Sequence, residues 1–324
     1  MRPAAEGARP RRRPMPGTVA ALIDAYQASE YWRALERSTQ ASYQRALDLI
    51  AHWLGDAPVR AITGLIVRKF HDRLAVTDGR PTPAKAAAAV RVLRLLLEAG
   101  RFLDCGTGQP FVTVNPAAKP GLSYRKRRQS QLWEAEDIRV MVAAADRLGL
   151  RSVATAILLN EWLGQRPGDL LALPPPDLAD GWLRFRQSKR GRQVELPLAV
   201  VPHLVARLKA EAERPGAVIS PTHLLVNDRT GRPWTEDAFK RAFAEVRAEA
   251  AKERPACARL WFMELRHTCI TRLHEAGLDA ITIAGVTGHS PESVQAVIDR
   301  HYLIRTRKAV VRAFKARLEA EGLG

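Results

Sequence analysis

The sequence predicts a mainly α-helical protein of two domains, with one small β-hairpin in the second. Three observations carry this expectation. Apolar residues recur at helical intervals along most of the chain, which marks helices with one buried face. Around residues 115–132 that periodicity is broken by Asn115, Pro116, Pro120 and Gly121 and then by a run of basic residues, the form of an interdomain linker. Between residues 183 and 198 alone the pattern turns to alternation. A chain of 324 residues is also long for one compact core.

Taken in order, residues 1–17 carry Arg9, Arg11, Arg12 and Arg13 among prolines and read as a flexible basic arm. Residues 18–114 read as a small helical domain. Val19, Leu22, Ile23 and Tyr26 form one stripe; Tyr43, Ala46, Leu47, Ile50 and Trp53 form another, with Ser38 as its N-cap. Further helices fit 63–77 and 82–104, the latter with Ala86, Val90, Leu93 and Leu97 on one face. The linker at 115–132 contains Arg125, Lys126, Arg127 and Arg128. The second domain, 133–324, opens with helices at 135–147 and 151–164. In the hairpin, Leu183 to Arg186 alternates, Gly191 turns the chain, and Val194, Leu196 and Leu198 alternate again. Helices follow at 199–212, at 236–251 behind Thr235 as cap, and at 264–276, 279–287, 291–301 and 307–321.

The charge balance points to a partner. Lys and Arg total 51 against 34 Asp and Glu, a formal +17, and such an excess suits a polyanion, nucleic acid first. Hydrophobic residues at 46% and charged residues at 26% suit a globular fold. No apolar run approaches the ~20 residues that span a bilayer, so no membrane partner is expected. Cys105, Cys257 and Cys269 are an odd number without disulfide or metal spacing, which implies a reducing, cytoplasmic setting.

Five places stand out for chemistry. Arg166 sits in Leu163-Gly164-Gln165-Arg166-Pro167-Gly168-Asp169-Leu170-Leu171, where one helix ends in a glycine turn and another starts at a proline. The hairpin turn is Gln187-Ser188-Lys189-Arg190-Gly191-Arg192, and further on come Leu265-Arg266-His267-Thr268 and Thr287-Gly288-His289-Ser290. Tyr302 follows thirteen residues after His289, at helical spacing from Val294 and Ile298, which packing alone would also produce. Arginine's planar fork binds two oxygens of a phosphate at once, so two arginines, a histidine and a phenol suit attack on a phosphodiester.

In this order the residues resemble the tyrosine recombinase family of phage-integrase type. Arg166 with Asp169 and Leu170 matches the first arginine box, Lys189 the hairpin lysine, Arg266 the second arginine, His289 the Gly-His pair and Tyr302 the late tyrosine. The resemblance implies a two-domain DNA clamp, with a helical core-binding domain ahead of the catalytic domain. It also implies a nucleophilic Tyr302 forming a 3′-phosphotyrosyl bond, and neither cofactor nor metal. Arg166, Arg266 and His289 would hold the phosphate, Lys189 would protonate the leaving 5′-oxygen, and Asp169 would orient a neighbour. Implied partners are double-stranded recombination sites, a homotetramer on synapsed DNA, and accessory DNA-bending proteins. Arg125, Lys126, Arg127, Arg128, Arg190 and Arg192 are candidate DNA contacts, Arg190 and Arg192 also competing with Lys189 for the acid role.

One position departs from the family pattern. Histidine is expected three residues before Arg266, and the sequence has Met263, whose thioether relays no proton. Either the step tolerates the loss, or His267 or His301 substitutes, or the activity is impaired. A metal reading of His267, Cys269 and His274 lacks a fourth ligand and standard spacing. The last helix, with Val310, Val311, Phe314 and Leu318, suits packing on its own domain or on a neighbouring protomer. Rival functions are a type IB topoisomerase and a non-catalytic DNA-binding protein.

Overall fold

The computed structural model describes residues 14–122, 130–177, 179–188 and 191–302, together with 311, 314, 315, 317–319 and 321; for His301 and Tyr302 it describes the backbone alone. The chain divides into two units, Met1–Arg128 and Gln129–Gly324. Among the described residues both are helical, apart from two short antiparallel hairpins.

In the first unit α1 (Val19–Ala28), α2 (Glu30–Arg33), α3 (Arg37–Leu54), α4 (Gly64–Leu74) and α5 (Pro83–Ala99) surround one core. Leu22, Leu47, Ile50, Leu93, Leu96 and Leu97 are its largest fully buried side chains. Thr18 caps α1 and Thr63 caps α4 by accepting from N–H groups of the first turn. The expected cap Ser38 instead lies inside α3, which begins at Arg37 behind Glu36. Trp53 falls off the buried stripe onto the surface, where the Arg73 guanidinium covers its ring at 4.8 Å.

The helices expected at 63–77 and 82–104 stop earlier, at Leu74 and Ala99, and the first is followed by a hairpin the periodicity did not predict. Strands β1 (Val76–Thr77) and β2 (Arg80–Pro81) pair antiparallel. Asp78 and Gly79 turn between them with φ of 50° and 73°. Two positive φ values in a row mark the tight turn that Asp-Gly favours.

The segment expected as a linker is fixed at both ends. Asn115 and Ala117 are buried in the first unit, the Asn115 side chain donating to the Arg94 carbonyl and to Glu98. At the other end Trp133 is buried in the second unit. Arg125, Lys126, Arg127 and Arg128 lie outside the described residues.

In the second unit α6 (Ala135–Arg147), α7 (Arg151–Leu163) and α10 (Glu236–Glu253) share the main core with α8 (Pro167–Leu171), α9 (Pro202–Ala212) and the hairpin β3 (Trp182–Arg186) and β4 (Gln193–Pro197). Helix α9 starts three residues later than expected because Leu198–Val200 forms a single 3₁₀ turn ahead of Pro202. The hairpin alternates as expected, Leu183 and Phe185 facing Val194 and Leu196 on the buried side. A smaller core of Ile270, Ile283, Ala284, Val294, Val297 and Ile298 joins α11 (Glu264–Glu275), α12 (Ala280–Thr287) and α13 (Pro291–Tyr302). Of the helix expected at 307–321, Val310 and seven other positions lie outside the described residues. Among the described residues no helix is long and apolar enough to cross a membrane.

Each unit encloses its own core, so a cavity in one is not relieved by the other. Leu93→Ala, at a fully buried position of the first unit, is expected to cost about 2–5 kcal/mol of that unit's stability. Urea denaturation followed by circular dichroism measures it.

Candidate active site

Helix α7 ends at Gly164, which adopts the left-handed conformation with φ of 56°. A Cβ there would lie 2.9 Å from Cys269 Sγ and 3.0 Å from a Thr287 methyl, so close approach and backbone both call for glycine. The chain then runs extended through Arg166 and re-enters a helix at Pro167. Arg166 is thereby left on the rim, where it donates to Asp169 Oδ2 at 3.3 Å. Asp169 is buried, and its Oδ1 accepts from both the N–H and the hydroxyl of Ser188, at 2.8 and 2.7 Å.

Beyond β3 the alternation puts Gln187 on the inward side, buried like Leu183 and Phe185. Its amide donates to Gln165 Oε1 at 2.6 Å and to the Thr287 carbonyl at 3.1 Å. The Gln165 amide in turn donates to the Leu163 and Val286 carbonyls, and the Gln165 N–H donates to Asn160 Oδ1. These buried amides knit together the ends of α7, β3 and α12. Across the turn, Arg192 donates to the His289 carbonyl at 3.3 Å. Lys189 and Arg190 lie outside the described residues.

Arg266, on the first turn of α11, is only 4% exposed. Its NH1 group donates to the Gly164 carbonyl at 2.5 Å and the Thr287 carbonyl at 2.9 Å, both at helix C-termini. There the aligned peptide dipoles leave partial negative charge, which suits a buried cation. Its Nε and NH2 edge faces the His289 ring, at 3.0 Å from Nε2 and 2.8 Å from Nδ1. A neutral imidazole has one acceptor nitrogen, so one of these contacts is a full hydrogen bond at a time. Burial, and after it the like charge of Arg166, pushes the Arg266 pKa down to about 9, with Asp169 and Cys269 pulling the other way. The group remains a cation at neutral pH.

His289 follows Gly288, left-handed with φ of 68°. The Gln187 amide lies flat over Gly288, and a Cβ there would meet its Oε1 at 2.1 Å. Met263 is exposed, one turn ahead of Arg266. The His267 ring meets Ser130 Oγ at 2.7 Å, the Cys269 thiol donates to the Trp162 carbonyl, and the His274 ring meets the Leu278 carbonyl. These three side chains turn to different parts of the unit, and among the described residues no three His, Cys, Asp or Glu side chains gather as a metal site. Tyr302 is the last residue of α13, a helix secured by Val294 and Ile298 in the smaller core.

The structure thus gathers Arg166, Asp169, Arg266 and His289 around one place, with the approach to Lys189 anchored beside them. Sequence patterning passed over Asn160, Gln165, Gln187, Ser188 and Thr287. Gln187 alone carried a signal, since it continues the inward register of Leu183 and Phe185.

A buried guanidinium with an imidazole against its Nε and NH2 edge, and a second guanidinium near enough to repel it, is an arrangement whose chemistry suits an oxyanion such as phosphate. Residues 132–302 match the phage integrase family, and the chain belongs to that family. It is 25% identical over 232 residues to the integrase of Enterobacteria phage 434, covering 71% of this chain and 62% of that relative. The figures for the integrase of Escherichia phage lambda are the same. The chain therefore spans about three fifths of the length of these curated relatives. A lambda integrase tetramer bound to a Holliday junction shares the fold, with a TM-score of 0.67 at 21% identity over 88% of this chain and 78% of that one.

Gly288 tests the framework of the site. Gly288→Ala is expected to cost about 1–2 kcal/mol for the left-handed backbone alone, and more because the new methyl group displaces the Gln187 amide. Denaturant titration of the full chain against the wild type measures it.

Proposed function

We propose that the protein is a tyrosine-type site-specific DNA recombinase that integrates or excises a mobile element. Carrying the proposal is the buried Arg266, whose Nε and NH2 edge is aimed at His289 and which shares its charge environment with Arg166. In the reading advanced here a DNA phosphate takes that edge, two of its oxygens matching the guanidinium fork, while His289 turns to donate to the same phosphate. Arg166 supports the charge that grows on the non-bridging oxygens as the reaction proceeds.

Tyr302 is the nucleophile. Its phenolic oxygen bonds to phosphorus as the P–O5′ bond breaks, Lys189 gives a proton to the departing 5′-oxygen, and the phenol's own proton passes to water during the attack. A strand end bearing a free 5′-hydroxyl later reverses the step, so the phosphodiester is rebuilt without a nucleotide triphosphate. Asp169 holds Arg166 and Ser188 in place. The proposed setting is the cytoplasm, and the proposed assembly is a homotetramer on paired sites, as lambda integrase forms on a Holliday junction. Arg125, Lys126, Arg127, Arg128, Arg190 and Arg192 are proposed to lie along DNA phosphates, and accessory bending proteins would assist. The helical domain ahead of the linker is proposed to bind the core site.

Met263 favours a second reading, a DNA-binding relative that has lost cleavage. A nicked suicide substrate, from which the cut end diffuses away, separates the two. The recombinase is expected to accumulate a covalent protein–DNA adduct on a denaturing gel and to lose it entirely in Tyr302→Phe. A binder yields no adduct in either form, and a topoisomerase yields the adduct but no strand exchange between two matched sites. Met263→His is expected to maintain or raise the single-turnover rate of adduct formation; a clear fall in rate counts against proton transfer at that position.

A further inference from the structure

The side chain of Asp169 is 1% exposed, and its two oxygens serve two different elements. Oδ2 takes the Arg166 guanidinium, while Oδ1 takes both the N–H and the hydroxyl of Ser188. Bonds to a buried carboxylate are charge-assisted and hold their partners closely. Two donors from one residue onto one oxygen fix that residue's orientation as well as its position. Ser188 directly precedes Lys189, so the Cα atoms of the two are about 3.8 Å apart however the turn is arranged.

The neighbouring contacts point the same way. Gln187 is tied to Gln165, beside Arg166, and to the Thr287 carbonyl, beside the His289 turn. On the far side of the turn Arg192 is tied to the His289 carbonyl. The main chain closes the loop as well, the Gln187 N–H donating to the Arg192 carbonyl at 2.9 Å. For stability alone the turn already has the strand ladder and these bonds. The additional link through Ser188 goes to the carboxylate that also orients Arg166.

We infer that Ser188 is a positioning residue: anchored on Asp169, it sets the start of the β3–β4 turn, and so the lysine that follows, in register with the phosphate-gripping arginine. This inference rests on the recombinase reading, in which Lys189 supplies the proton to the leaving 5′-oxygen. Ser188→Ala keeps the backbone bond to Asp169 and removes the second constraint, so the fold should persist while the acid loses its aim.

Two suicide substrates test it, one with the ordinary 5′-oxygen leaving group and one with sulfur in the 5′-bridging position. Alkoxide must be protonated as its bond to phosphorus breaks, whereas a thiolate departs with its electron pair and needs no acid, thiols being far more acidic than alcohols. On the oxygen substrate Ser188→Ala is expected to form the Tyr302 adduct about tenfold more slowly, part of the roughly 10²–10⁴-fold that a placed acid contributes. On the sulfur substrate it should match the wild type within about twofold, and Ser188→Thr, which keeps the hydroxyl, should recover most of the loss. Thermal melting and DNA retardation of each variant show whether fold and binding are intact; should Ser188→Ala melt early, the ratio of its rates on the two substrates, measured well below its melting temperature, carries the test. An unchanged rate on the oxygen substrate overturns the inference, as does an equal loss on both. If the wild type forms no adduct with either substrate, the recombinase reading itself has failed, an outcome distinct from the other two.

Discussion

The second unit is organised around the burial of one cation. Removing a guanidinium from water costs several kcal/mol unless its donors are matched, and Arg266 meets that cost by reaching carbonyls where two helices end. Both acceptors belong to left-handed glycine turns, Gly164 closing α7 and the Thr287–Gly288 step closing α12. Because the two turns must converge on the same NH1 group, α7, α11 and α12 have little freedom to shift independently. The glycines follow from this demand: Gly164 lets Cys269 and Thr287 approach, and Gly288 lets the Gln187 amide lie over the backbone.

Burial is only partly compensated. Arg166 pushes the Arg266 pKa down and Asp169 returns some of the loss. Among the described residues, the surrounding amide network also leaves Gln187 Oε1 and Asn160 Nδ2 without a hydrogen-bond partner. A core selected for stability alone would satisfy such groups or replace them with apolar ones. Two like charges held near each other, with polar groups packed behind them, are more costly in the free protein than with an anion between the charges. On the recombinase reading, that difference is the form in which the site stores its affinity for a phosphate.

The sequence made the helices and the ordered chemical residues legible, but not how they are held. Amphipathic stripes located the long helices because burial of one face is a local, periodic signal. Their ends were less visible: Ser38 has the chemistry of a cap, yet α3 starts one residue earlier. The β1–β2 hairpin was missed because two-residue strands are too short to alternate, although Asp78-Gly79 states the turn plainly. The arginines and the histidine that converge were readable from their motifs. The depth of Arg266 was not, because a helix with Arg266, Thr268 and Thr271 buried shows little amphipathic contrast. Ser188 and Gln165 carried no signal, since the partners that give them their role, Asp169 for Ser188 and Gln187 and Val286 for Gln165, lie 19 or more residues away and a hydroxyl or amide gives no periodicity.

Met263 and His267 show how far the geometry constrains chemistry at the one departure from the family pattern. Met263 caps the start of α11 with helical backbone angles and His267 lies four residues on, hence on the same side but about one turn, ~5.4 Å, apart along the axis. The His267 ring meets Ser130 in the segment that leads into Trp133, whose own N–H donates to Thr268 on the same helix. Gln131 adds a backbone donation to Glu264, so the segment is strapped along α11 at three successive places. An imidazole engaged in that strap is not in the place of the Met263 side chain, and moving it there would cost the Ser130 contact. Met263 itself stands open to solvent. On the recombinase reading, water at the exposed Met263 position is therefore a better acceptor for the phenol's proton than His267, and replacing His267 should disturb the strap more than the chemistry.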